Sequence, residues 1–146
     1  MRDSPRSSFP HFLAIPTRWM DNDSYGHVNN VQYYSYFDTA VNQFLVARGV
    51  LDIHKGEVVG FVVDSGCAYF NSISFPDTVH AGIRVAKLGN SSVRYEIALY
   101  RNDDQMPCAA GHFVHVYVER SSNRSVPIPD SVRTVLSTIC SATAKS

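Results

Sequence analysis

Residues 21–30 read DNDSYGHVNN, the densest polar cluster of the chain, and an aromatic, apolar run follows at once. Asp21, Asp23, His27, Asn29 and Asn30 surround Gly26 there. A carboxylate can act as a nucleophile or a general base, and desolvation in a closed pocket raises its basicity. The free N–H groups at a helix start stabilise a carbonyl oxygen that is gaining negative charge. Asp23 precedes the predicted helix start by only a few residues, so a tight turn could bring both groups to one carbonyl. Gly26 would permit the close backbone approach or unusual dihedrals of that turn. The same residue types also make Asx turns and helix caps, so a structural use of Asp21 and Asp23 stands beside the chemical one.

The flanking patterns set what must position these groups. From Asn30 onward Tyr33, Phe37, Ala40, Val41, Phe44 and Leu45 recur at helical spacing. Tyr34, Tyr36 and Val46 make the other faces apolar too, which predicts an enclosed helix. Asn29 or Asn30 is the expected N-cap and Gly49 the C-terminal stop. Upstream, FLAIPTRWM has strand character that Pro16 confines to an edge or a bulge. Beyond residue 56 four long strands are predicted: VVGFVVDSGCAYF, TVHAGIRVAKL, VRYEIALYR and AAGHFVHVYVER, separated by breaks at Pro76-Asp77, GNSS and NDDQ. Val93, Tyr95, Ile97 and Leu99 should share one face. A last short helix should begin at Pro129 and run through Leu136 and Ile139.

Residues 1–11 show no periodicity and are expected to be a flexible N-terminus, leaving 12–146 as a single domain. One long apolar helix and four antiparallel strands pack economically if the sheet curls around the helix, an α+β arrangement. One helix cannot cover such a sheet completely, and its edge strands stay open, so dimerisation is expected.

The 146 residues are the size of one domain. Thirteen basic and thirteen acidic residues cancel, which removes the electrostatic case for nucleic-acid or membrane-surface binding while leaving room for a local basic patch. Cys67, Cys108 and Cys140 lack disulfide-framework or metal-site spacing, so reduced thiols and no metal are expected. No apolar run approaches the roughly 20 residues of a membrane span, and MRDSPRSSFP lacks a secretory apolar region; a cytoplasmic location is the expectation.

The string D-x-D-x-x-G-H-V-N-N before an aromatic helix resembles the hotdog-fold acyl-CoA thioesterases of the 4-hydroxybenzoyl-CoA thioesterase family. The order strand, helix, four strands, and VPIPD before the last helix, extend the resemblance over most of the chain. It implies a curved antiparallel sheet wrapped around a long central helix, and hydrolysis of acyl-CoA to free acid and CoA. It also implies a homodimer or homotetramer, with no cofactor other than the CoA of the substrate. Asp23 would act on the thioester, by direct attack or by activating water, and the N–H at about Asn30 would polarise the carbonyl. His27 would orient Asp23 or line the pocket, or serve as a hydrogen-bonded structural histidine. Gly26, Asn29 and Tyr33 would border the substrate.

Hotdog sites commonly lie between subunits, so Asp64 or Ser65 on the first long strand would serve the partner's site. For the phosphates of CoA, KLGNSSVR supplies Lys87, Asn90, Ser91, Ser92 and Arg94, since phosphate favours cationic partners and exposed turn amides. An ordinary hairpin with solvated charges is the competing reading. His112 and His115 should lie on opposite faces of a strand, and His11, His54 and His80 carry no pattern. Two rival functions keep the fold: a hotdog enoyl-CoA hydratase or dehydratase using Asp23 with His27, and a non-catalytic dimer that binds acyl groups.

Overall fold

A computed structural model of the chain describes residues 1–51 and 56–141; His54 therefore lies outside the described residues. In chain order the elements are β1 (His11–Pro16), α1 (Asn30–Ala47), β2 (Val58–Tyr69), β3 (Thr78–Leu88), β4 (Ser92–Arg101), β5 (Ala109–Glu119) and α2 (Asp130–Ser137), with 3-10 turns at Arg6–Ser8 and Trp19–Asp21. The strands form one sheet in the order β1-β3-β4-β5-β2. β1 runs antiparallel to β3, with His11 opposite Ile83 and Pro16 opposite Thr78. Pro16, which cannot donate to a ladder, thus sits on an edge strand as expected. At the other edge the Phe70 N–H donates to the Cys108 carbonyl and the Arg120 N–H to the Glu57 carbonyl, the signature of an antiparallel β5–β2 pair.

The chain divides into two compact units, Met1–Ala40 with Cys67–Ile83 and Ile97–Gly111, and Val41–Gly66 with Arg84–Glu96 and His112–Ser146. In the first, Tyr33, Tyr36, Phe37 and Ala40 of α1 are buried, as are Ile73, Val79, Ala81, Ile83, Ile97 and Leu99. Ala98 and Tyr100, on the opposite face of β4, are buried as well. The residues that cover them come from the N-terminus: Phe9, with Phe12 and Phe70, packs against Ala98, Tyr100 and Ala110. The Phe9 and Tyr100 rings meet edge-on at 6.3 Å, and the Tyr100 hydroxyl donates to the Ser4 carbonyl at 2.8 Å. A stretch without periodicity thus holds one turn and one buried aromatic, because a single anchoring ring leaves no repeating pattern.

In the second unit Val41, Phe44 and Leu45 of α1 are buried, together with Val85, Val93, Tyr95, Phe113 and Tyr117 of the strands and Val132 and Leu136 of α2. Gly49 has φ +73°, and the Val50 N–H reaches back to the Leu45 carbonyl, closing α1 in the expected manner. α2 ends sooner than the apolar spacing predicts. Pro129 precedes it, the last helical residue is Ser137, and the Val85 N–H donates to the Ile139 carbonyl while the Ser141 N–H donates to the Val85 carbonyl. Strand-like bonding to β3 wins over one more helical turn.

Candidate active site

Asp21 organises the loop before α1. Its carboxylate accepts the Arg18 N–H at 2.9 Å, the Arg18 guanidinium at 2.9 and 3.1 Å, and the Tyr36 hydroxyl at 2.9 Å. Burial acts to raise the Asp21 pKa, but these donors outweigh it and hold the carboxyl below its ordinary value. The Asp21 carbonyl also takes the Asn29 N–H, and the Val28 N–H bonds the Ile73 carbonyl. Asp21 is therefore structural.

A bridge between Asn22 and Val28 closes residues 23–27 into a tight loop. Within it the Asp23 N–H donates to the His27 carbonyl at 2.8 Å and the Gly26 N–H to the Asp23 carbonyl at 3.1 Å. Gly26 has φ +80°, and a Cβ there would meet nothing within 4 Å, so conformation rather than space calls for glycine. Asp23 Oδ1 accepts the Tyr25 N–H at 2.9 Å, an Asx turn; among the described residues none donates to Oδ2. One oxygen is held by the loop, and Asp23 lines a groove of about 420 Å³ together with Trp19, Met20, Asn22, Ser24 and Gly26. The His27 side chain is exposed.

The helix start follows immediately. Asn29 is the cap: its Oδ1 accepts the Val31 N–H at 3.0 Å and its carbonyl the Gln32 N–H at 2.9 Å. Asn30 is the first helical residue, so its N–H has no acceptor within the helix, and no acidic residue occupies the first turn. The positive end of the helix dipole is thus not neutralised by its own sequence. Tyr69 of β2 donates its hydroxyl to the Asn30 carbonyl at 3.4 Å, and its ring meets that of Tyr33 edge-on at 4.9 Å. Burial pushes the Tyr33 hydroxyl up to about 12, and burial with the neighbouring Cys67 thiol does the same to Tyr69.

Asp23, Gly26, His27, Asn29, Asn30 and Tyr33 all fall in the first unit, at one loop and the helix it leads into. The remaining candidates belong to the second. Asp64 and Ser65 are exposed on β2, where Asp64 Oδ2 lies 3.0 Å from His112 Nε2. Gly66 leaves room for that ring, since a Cβ there would come within 2.7 Å of His112 Cε1. Lys87 is exposed near the end of β3, and Ser91, Ser92 and Arg94 are half-buried around the β3–β4 turn. The Arg133 guanidinium donates to the Gly89 and Asn90 carbonyls, tying that turn to α2. His115 is buried opposite His112, its ring 5.2 Å from Tyr95.

Sequence reasoning missed Trp19, Met20, Tyr69 and Arg133. Trp19 and Met20 directly precede the polar cluster, and that adjacency was the available signal. For Tyr69 and Arg133, contacts across 39 and 43 residues carry no local pattern. No disulfide joins Cys67, Cys108 and Cys140. Among the described residues no three His, Cys, Asp or Glu side chains gather as metal ligands, and no helix is long and apolar enough to cross a membrane.

Residues 17–136 match the thioesterase-like superfamily. The PA5185 protein of Pseudomonas aeruginosa is 55% identical, with a TM-score of 0.93 over 95% of this chain and 97% of that one. PA2801 of the same organism, a candidate thioesterase, is 35% identical, with a TM-score of 0.81 over 86% and 97%. The uncharacterised YsmA of Bacillus subtilis strain 168 is 24% identical over 90% of this chain and 88% of its own length. The five-stranded antiparallel sheet with its long helix, and its likeness to such structures, identify the α+β hotdog fold.

Proposed function

Since the chain belongs to the thioesterase-like superfamily, we propose that it hydrolyses acyl-CoA thioesters to free acid and CoA, in the manner of the 4-hydroxybenzoyl-CoA thioesterases. The observation that carries the proposal is the Asp23 carboxylate: one oxygen fixed by the Tyr25 N–H, the residue itself lining a groove, in the loop that runs into α1. Asp23 takes a proton from water as hydroxide adds to the acyl carbon, or adds directly to give a mixed anhydride that water then cleaves. In either case the carbonyl oxygen gains charge and is met by the N–H of Asn30, which has no acceptor within the helix, at the positive end of α1. The C–S bond then breaks, and CoA leaves as thiolate and takes up a proton. Asn29 caps the helix that presents this N–H, and Gly26 supplies the turn.

Exposed His27 borders the reaction from solvent, Tyr33 and Tyr69 flank the helix start, and Lys87, Ser91, Ser92 and Arg94 receive phosphate. A second copy pairs along β2, bringing Asp64 and Ser65 to its neighbour. This is supported by an unpaired edge of 12 residues that exposes Phe61, Val62 and Val63. The reading calls for no metal, only the CoA of the substrate.

The test is thiol release from a panel of short, long and aromatic acyl-CoAs, with crotonyl-CoA included. Free thiol from at least one substrate is expected. Water addition to crotonyl-CoA with the thioester intact would make the protein a hydratase, and tight binding without chemistry would make it an acyl binder.

A further inference from the structure

The groove beside Asp23 has a wall that the proposed chemistry does not use. Trp19 is 75% exposed and Met20 71%, consecutive large apolar side chains standing open to solvent. Isolated exposed apolar residues are ordinary, but two adjoining ones lining a concavity offer an apolar surface to a ligand. Trp19 is not loose: its ring meets Phe75 edge-on at 5.9 Å, and the Phe75 N–H is held by Asn22 Oδ1 at 3.1 Å. The segment around residue 75 thus braces the loop that carries the wall. The groove, about 420 Å³, falls in the range of small-molecule sites and exceeds the roughly 150 Å³ that suffices for benzene.

We propose that Trp19 and Met20 are specificity-determining residues whose wall receives an aliphatic acyl chain of the thioester, extending from the carbon on which Asp23 acts. This rests on the thioester-hydrolase reading. Continuity favours the acyl chain over other occupants, because Asp23 and Gly26 line the same groove as Trp19 and Met20. The pantetheine arm of CoA carries amides that need polar partners, and among the side chains of the Trp19–Met20 wall the indole N–H is the sole strong one. A linear chain asks only for apolar contact.

Trp19 is the only tryptophan of the chain, so its emission reports on the groove directly. The full-length protein is titrated with non-hydrolysable thioether analogues of acetyl-CoA, butanoyl-CoA and octanoyl-CoA, and with CoA alone. A blue shift that grows with chain length and is absent with CoA is expected, with affinity rising about fourfold per methylene in contact. Met20→Ala should flatten that increment while leaving the acetyl analogue unchanged, and Trp19→Ala should do the same when affinity is read by calorimetry. Equal shifts with CoA and octanoyl analogue would assign the groove to the pantetheine arm and overturn the proposal. So would emission that changes on dilution of the protein without ligand, which would assign the wall to a second copy. Binding is read without turnover, so inactivity of the wild type, or full activity of Asp23→Asn, overturns the hydrolase reading and leaves the titration to decide the groove.

Discussion

Replacing Asp21 by alanine should cost far more stability than removing a surface carboxylate. Its side chain is fully buried, and three kinds of donor depend on it. The Tyr36 hydroxyl, buried with its ring, would lose its acceptor, at about 1–3 kcal/mol for an orphaned buried polar group. The Arg18 N–H at the head of the 3-10 turn would lose a charge-assisted bond of about 1.5 kcal/mol. The Arg18 guanidinium contributes less, below about 1 kcal/mol, because its side chain is 60% exposed and water replaces the carboxylate. Together these give a loss of about 2.5–5.5 kcal/mol, which spans the range for a buried pair broken from one side. For a chain of this length that lowers the Tm on the order of 10 °C.

Urea unfolding of wild type, Asp21→Ala, Asp21→Asn and Tyr36→Phe provides the assay, with Tyr36→Phe expected to lose about 1–2 kcal/mol because Arg18 still serves the carboxylate. The pH dependence has a fixed sign. A carboxyl held below its ordinary value of 3.8 contributes stability that is present above that value and lost as the pH falls through the folded-state value. Wild type should therefore lose stability below about pH 4 more steeply than Asp21→Asn. A loss under about 1 kcal/mol in Asp21→Ala, or superimposable acid limbs, would refute the reasoning.

Three further perturbations follow from the same structure. Gly26→Val forces a β-branched residue to φ +80° and should cost about 2 kcal/mol in urea unfolding and lower thiol release with it, although no atom obstructs the side chain. Phe9→Ala should lose about 3 kcal/mol, which deletion of a flexible tail would not, and calorimetry distinguishes these. Gly66→Ala puts a Cβ 2.7 Å from His112 Cε1 and must push that ring from Asp64, so a double-mutant cycle with Asp64→Asn should show coupling of at least about 0.5 kcal/mol.

What was legible in the sequence was whatever repeats. The helix from Asn30 and the four strands showed because their core faces recur at fixed spacing, and Gly49 and Asn29 because caps need particular residue types. The loop around Gly26 was legible as a motif, and its Asx turn at Asp23 was one of the two uses expected. The rest depended on contacts remote in the chain. Phe9 covers Tyr100, Tyr69 reaches Asn30, Arg133 ties the β3–β4 turn, and the chain after Ser137 prefers bonding to Val85 over another helical turn. Trp19 and Met20 read as the end of a strand, where apolar residues are ordinary. Their exposure is a property of the folded surface alone.

The most direct test of the account is thiol release by Asp23→Asn under single-turnover conditions, with folding verified by unfolding. The substitution keeps an acceptor for the Tyr25 N–H and so preserves the turn while removing the base or nucleophile. The account predicts a rate at least about a hundredfold below wild type with an unchanged unfolding midpoint. A folded variant that releases thiol within about threefold of the wild-type rate would contradict it.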